Sequence, residues 1–332
     1  MSSAARRPRL SLLLAGVAML VGVLGVGGCG SAAGDRPEED ATLVLDFTPN
    51  AVHAGIYSAV ERGYDEAEGV RLRVREPSSS TDSVKLLLAG RADFAILDIH
   101  DLAIAREQGR DIVGIMALVQ RPLAAVLAQP GVRTPRDLEG RQVGVTGLPS
   151  DRAVLRSIVA GAGGRPARVR RVTIGFNSVP SLLSRRVDAV TAFWSAEGVA
   201  LRRRRPGIRE FRVDEFGAPA YPELVVCATR ARLRESPDLA RALVTALARG
   251  YQLTLQDPAS STADLLERVP GLRRELVGAE LDAVSPAFVA GARRYGELDT
   301  GRLGAWARWE ARFGIVDRPP DVARAFDRRF LR

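Results

Sequence analysis

The chain has 332 residues, 46% of them hydrophobic and 26% charged, with a formal net charge of +9. Those shares exclude a disordered or fibrous chain and allow one large or two medium globular domains with a sizeable core. Arg6, Arg7 and Arg9 stand ahead of an N-terminal apolar run; without these three of the 48 basic side chains, 45 face 39 acidic ones. That excess is too slight, and too free of interleaved aromatics, to argue for a nucleic-acid partner.

The apolar run extends to Val26 and ends in Gly27-Gly28-Cys29. A positive start, an uncharged middle and small residues before a cysteine predict a signal peptide over 1–28 and lipidation of Cys29 as the first mature residue. A transmembrane anchor is the alternative, but Gly22, Gly25, Gly27 and Gly28 weaken a helix there, and the run falls short of the about 20 residues a span needs. Residues 29–40 then read as a polar tether between the lipid and the folded body. With Cys29 acylated, Cys227 is the remaining cysteine, which leaves no intramolecular disulfide.

Order is predicted from about residue 41, with a strand over 42–45. Asn50 caps a helix over 51–62 that Gly63 ends, and Val70, Leu72 and Val74 alternate with arginines as a half-exposed strand. A helix over 82–89, a strand over 92–97, a helix over 101–108 and strands over 112–119 and 124–128 continue the rhythm. Thr134-Pro135 opens a capped turn that Gly140 closes. The pattern restarts with a strand over 142–145, a helix from Ser150 or Asp151 to 160, and a strand over 169–174. A short helix over 180–185 and a strand over 188–193 complete it. The arginine run 202–205 fits a solvated helix end, and Cys227 sits in an apolar run that reads as a buried strand. From Ser236 onward the chain is nearly all helix, with Leu303, Trp306, Trp309 and Phe313 at core spacing. This alternation predicts an α/β protein with parallel sheets covered on both faces. An internal echo, Lys85 to Ala95 against Ser181 to Val190, places a helix, a turn and an Asp-led strand in each of two blocks, as two similar lobes would.

Catalytic signatures are sparse: His53 and His100 are the two histidines, and no HExxH, CxxC, GxSxG or P-loop pattern occurs. The expectation is a protein that is not an enzyme, with no catalytic residue, metal or resident cofactor. The candidate binding residues instead follow predicted strands, where open α/β sheets take small molecules. They are Asp46, Phe47 and Asn50; His53 and Tyr57, four apart on one helix face; Asp98; Thr146, Pro149 and Ser150; Phe193, Trp194 and Glu197; and Glu223, where the chain turns back. Aromatic faces with carboxylates suit a flat, hydrogen-bonding ring. Each has a plainer reading: Phe47 and Tyr57 as core, His53 as a cap partner, Asp98 as a helix cap, Trp194 as packing between lobes. Residues 146–150 also fit an anion site built from free backbone amides.

Leu45-Asp46-Phe47-Thr48-Pro49-Asn50 with His53 and Tyr57 resembles the opening of solute-binding proteins related to thiamine-pyrimidine precursor binders and fungal pyrimidine synthases. The resemblance continues through 90–95, 135–140, 146–150 and Phe193-Trp194-Ser195-Ala196-Glu197-Gly198. It implies a type II periplasmic binding protein fold, with 41–124 and 226–332 in the first lobe and 125–225 in the second, joined by a hinge. By position, Phe47 and Tyr57 resemble residues that flank the pyrimidine, and Asp46, Asn50 and Glu197 resemble ones that bond its edge. The implied function is a monomeric, lipid-anchored binding component on the outer face of the cell membrane. It would deliver a thiamine-pyrimidine precursor to the permease and ATPase subunits of an ABC importer. Riboflavin, a sulfonate or nitrate are alternative ligands, and a synthase-like enzyme, with His53 as its test residue, is the alternative class. The fungal synthases' cysteine-rich motif is absent from this chain.

Overall fold

The computed structural model describes residues 39–331 apart from Ser80; the expected signal peptide, Cys29 and most of the tether lie outside them. The chain first lays down β1 (Glu39–Val44), β2 (Val70–Arg75), β3 (Phe94–Asp98) and β4 (Ile112–Ala117). It then forms β5 (Ala124–Ala128), β6 (Gln142–Val145), β7 (Arg170–Thr173), β8 (Ala189–Phe193) and β9 (Arg209–Arg212), and returns with β10 (Leu224–Thr229). Two five-stranded sheets result, in the orders β2-β1-β3-β10-β4 and β7-β6-β8-β5-β9.

The sheets share one plan, and neither is wholly parallel as the alternation predicted. β1 pairs parallel with β2 and β3, and β6 with β7 and β8. The strand arriving from the other sheet, β10 or β5, is antiparallel to both its neighbours. A segment crossing from one sheet to the other enters at the facing strand ends, so it must run against the strands that finish there. Register makes this concrete, because Leu224 lies opposite Asp98 and Ala124 opposite Phe193. The two echo segments form the helices Asp82–Leu88 and Ser178–Leu183, which lead into the equivalent central strands β3 and β8.

Burial follows position in the sheet. β3 and β4 are apolar and buried along nearly their whole length, whereas the edge strand β2 buries Val70 and Leu72 and exposes Arg71, Arg73 and Arg75. The other edge, β7, is exposed throughout and led by Arg170 and Arg171, charges that discourage edge pairing with another chain. Leu43, Phe94, Ile96 and Val226 pack on one side of the first sheet with Leu243, Leu247 and Tyr251 of the helix Pro237–Gln256. Val44, Leu97, Val225 and Cys227 pack on the other side with Trp306 and Trp309 of the helix Thr300–Arg312. Burial raises the Cys227 thiol pKa, as for an inert core cysteine.

The predicted helix after Asn50 is split into a 3-10 turn, Ala51–His53, and the helix Ala54–Glu61. Its seat is tight: a Cβ on Gly250 would lie 2.0 Å from the Gly55 carbonyl oxygen. Two glycines therefore let this helix and Pro237–Gln256 meet backbone to backbone. Among the described residues no helix is long and apolar enough to cross a membrane.

Candidate functional site

Between the facing strand ends lies a cavity of about 840 Å³, including the part open to solvent. Its first wall begins where β1 ends. Asn50 caps the 3-10 turn, its Oδ1 accepting from the Val52 N–H at 2.9 Å. The Asn50 N–H donates to His53 Nδ1 at 3.2 Å, and His53 Nε2 lies 2.9 Å from Asp46 Oδ1. Because Nδ1 faces a donor, the imidazole proton belongs on Nε2, where it holds the Asp46 carboxylate. Asp46, Phe47 and Asn50 line the cavity, while His53 is fully buried behind them and does not reach its wall. The structure thus gives His53 the positioning of Asp46 rather than contact with a ligand. Tyr57, one turn further on, is also buried away from the cavity. Its hydroxyl pKa is raised by burial and by the charge of Glu76.

Opposite stand Phe193, at the end of β8, and Glu197, in the first turn of the helix Glu197–Arg204. Glu197 Oε2 accepts from the Phe193 N–H at 3.2 Å. Burial, with the charge of Asp46 adding to it, raises the Glu197 pKa to about 7. Trp194 points elsewhere: its indole N–H donates to the Pro122 carbonyl at 3.0 Å, and the Arg212 guanidinium lies 4.1 Å from its ring centroid. It pins the crossing segment, as its plainer reading allowed. Phe47 in turn meets Phe176, which sequence reasoning missed and which does not itself line the cavity, edge to face with centroids 4.3 Å apart.

The far end of the cavity carries Asp98, Asp101, Thr146, Ser150 and Asp151. Asp98 caps the helix Ile99–Glu107, accepting from the His100 N–H at 2.8 Å. This helix starts two residues earlier than expected, which turns Asp101 into the cavity. Ser150 Oγ reaches across to Asp101 Oδ1 at 3.3 Å. Asp151 does not leave the backbone of 146–150 open to an anion. Its Oδ2 takes the N–H groups of Gly147 and Leu148 at 2.8 and 3.0 Å and the Thr146 hydroxyl at 2.8 Å, and its Oδ1 takes the Thr191 hydroxyl at 2.9 Å. The expected anion cradle is therefore filled by the chain's own carboxylate. The backbone of Pro149 starts the helix Pro149–Gly161.

Glu223 lies off the cavity wall, fully buried, with Oε2 accepting from the Leu123 N–H at 2.7 Å. It joins the two crossing segments just behind Asp98. Donor atoms of Asp98, His100 and Glu223 fall within 4.8 Å of one another, a cation-like spacing. Both nitrogens of His100 are nevertheless engaged, Nδ1 by Glu310 and Nε2 by the Tyr221 hydroxyl at 3.2 Å. Burial opposes charge on His100, but Glu310, Asp98 and Glu223 outweigh it and raise its pKa to about 10. Burial raises Asp98 to about 8 and Glu223 to about 7. Glu280 was also missed: it lies on the helix Arg274–Phe288 and accepts from the Ala51 N–H at 3.5 Å, and its pKa is raised by burial to about 7. No local pattern near residue 280 marks it, since only folding brings it to residue 51.

Five carboxylates, Asp46, Asp98, Asp101, Asp151 and Glu197, line the cavity, and among the described residues no Lys, Arg or His does. Residues 50–261 match the family model described as NMT1/THI5 like. The chain belongs to the NMT1/THI5-like family. A relative named formylaminopyrimidine-binding protein, from Halalkalibacterium halodurans, is 31% identical over 247 residues, 73% of this chain and 75% of that protein. A Legionella pneumophila relative named 4-amino-5-hydroxymethyl-2-methylpyrimidine phosphate synthase is 22% identical over 295 residues, 87% of this chain and 92% of that protein. The expectation that this chain is not an enzyme therefore does not stand, because relatives named as synthases align over 71% to 87% of the chain. A solved Candida albicans protein, described as exhibiting the generic periplasmic binding protein structural fold, superposes with a TM-score of 0.67 at 15% identity, over 88% of this chain and 96% of that one. The fold is that of periplasmic binding proteins, as the resemblance implied.

Proposed function

We propose that this protein binds a small thiamine-related pyrimidine between its two sheets and delivers it to a membrane permease driven by an ATPase subunit. In this reading the protein sits on the outer face of the cell membrane, held by a lipid on Cys29. The observation that carries the reading is the cavity's chemistry: two phenyl rings and five carboxylates, with no cationic side chain among the described lining residues. An aminopyrimidine offers what such a wall lacks, a flat ring for the phenyl groups and N–H donors for the carboxylates. A sulfonate or nitrate offers only acceptors, and no cationic side chain among the described lining residues is there to pair with it. The name of the Halalkalibacterium relative supports the same class of ligand.

Calorimetry and thermal shift test this directly. 4-Amino-5-hydroxymethyl-2-methylpyrimidine and the N-formyl derivative of its aminomethyl analogue should bind one to one and raise Tm, whereas taurine and nitrate should do neither. Binding of an anion or of riboflavin, with none by the pyrimidines, refutes the assignment. Replacement Cys29→Ser should release the protein from the membrane fraction of the cells that make it.

A further inference from the structure

The carboxylates of the cavity form two groups. Asp46 is the charge that acts on Glu197, whereas Asp98 and Asp151 act on Asp101. One group suffices for the N–H edge of a ring, so the second needs a partner of its own. Asp151 has four donors and is satisfied within the chain. Asp98 and Asp101 each have a single partner, the His100 N–H and the Ser150 hydroxyl, which leaves carboxylate oxygens facing the cavity. Behind them Glu223 is fully buried, and its Oε1 has no hydrogen-bond partner. A buried acceptor left unpaired is costly, and this one belongs to the set whose donor atoms lie within 4.8 Å of Asp98.

We infer that Asp98 and Asp101, backed by Glu223, form a subsite for a protonated primary amine, so that the preferred ligand is a pyrimidine carrying an aminomethyl group. This rests on the pyrimidine reading of the cleft and narrows it from neutral pyrimidines to a cationic one. An ammonium offers three donors and a positive charge; a hydroxymethyl or formylaminomethyl group offers one donor and no charge. In the empty cleft burial raises the Asp98 pKa to about 8, so Asp98 holds a proton near neutral pH, and burial pushes the Asp101 pKa up as well; Glu223, Glu310 and Asp151 add to the rise and His100 opposes it. An arriving ammonium displaces such a proton, and the bound pair is then a carboxylate with a cation.

The test is calorimetry at pH 7.5 with 4-amino-5-aminomethyl-2-methylpyrimidine, its N-formyl derivative and the hydroxymethyl analogue, each run in buffers of different ionisation enthalpy. The amine should bind at least about tenfold more tightly than the other two, a step of about one charge-assisted hydrogen bond, and should release about one proton. Asp101→Asn and Asp98→Asn should each collapse that preference, with melting curves reporting that the variants fold. Equal or tighter binding of the two neutral ligands, or amine binding without proton release, overturns the subsite while leaving the pyrimidine reading intact. Binding by none of the three overturns the pyrimidine reading itself. Loss of the amine preference on adding zinc or calcium, with heat of binding from the metal alone, assigns the subsite to a metal ion and also overturns the inference.

Discussion

Glu197 gives the cleft a measurable pH signature. Its carboxyl has an ordinary value near 4.5 in the unfolded chain and about 7 in the folded one. Between those values the folded state holds a proton that the unfolded state has lost, so stability falls as pH rises through the window. At about 1.4 kcal/mol per pKa unit, and with both states partly titrated at the ends of the range, Glu197 alone removes about 2 to 3 kcal/mol between pH 5 and pH 8. For a chain of this size that is about 3 to 5 °C in Tm. Asp98, Asp101, Glu223, Glu280 and His100 are shifted upward and slope the same way. The wild-type slope therefore exceeds Glu197's share, and a difference between proteins isolates that share. Glu197→Gln keeps the shape and removes the titration. Differential scanning fluorimetry of the ligand-free proteins at intervals from pH 5 to pH 8 should show the variant's Tm falling by about 3 to 5 °C less than the wild type's. Parallel curves for the two proteins would refute the claim that Glu197 is held neutral by burial.

The positioning role of His53 predicts that His53→Phe weakens pyrimidine affinity at least about tenfold and costs about 1 to 3 kcal/mol of stability, because the Asn50 N–H is left unpaired. Circular dichroism should stay native, and unchanged affinity would return His53 to a plain cap. Phe47→Ala and Phe176→Ala should each cost about tenfold in affinity, since an aromatic pair contributes about 0.5 to 1.5 kcal/mol beyond its buried area. Calorimetry on both variants decides whether Phe176 belongs to the site. Gly250→Ala forces a Cβ to within 2.0 Å of the Gly55 carbonyl oxygen, and overpacking of that kind costs about 1 to 3 kcal/mol or more. A denaturant midpoint equal to the wild type's would mean the helices separate freely.

What the sequence made legible was set by local physics. Asn50, Gly63, Thr134-Pro135 and Gly140 mark helix ends because caps and tight turns depend on a few adjacent residues, and the ends of β1, β3, β6 and β8 followed. Asp46, Phe47, Asn50, Asp98 and Glu197 could be named as candidates because a residue just past a strand faces the same direction in any sheet of this kind. Side-chain direction deeper in a helix was not legible. His53 and Tyr57 share a face, yet that face is turned to the core by the close approach at Gly55 and Gly250, which lie 195 positions apart in the chain. Glu280 and Phe176 do not line the cavity, and they reach Ala51 and Phe47 beside it only through long-range packing. The antiparallel strands β5 and β10 were hidden for the same reason, since their direction follows from the crossing and not from their composition.

On the proposed reading, in which the cleft closes over its ligand, closure brings together groups that repel one another. Asp46 and Phe47 follow β1 of the first sheet, while Phe176 follows β7 and Glu197 follows β8 of the second; Asp101, after β3, likewise meets Ser150 and feels the charge of Asp151, both after β6. An empty closed form must therefore either take up protons on these carboxyls or bear their repulsion, whereas an open form lets water screen each carboxylate separately. A ligand that supplies N–H donors to both groups reverses the balance, and it does so only when both walls are present. That is the differential affinity for one conformation that any coupling of binding to closure requires. It also explains why the lining can be so acidic without a compensating arginine in a chain rich in them: a resident cation would satisfy the carboxylates in the empty state and remove the ligand's advantage.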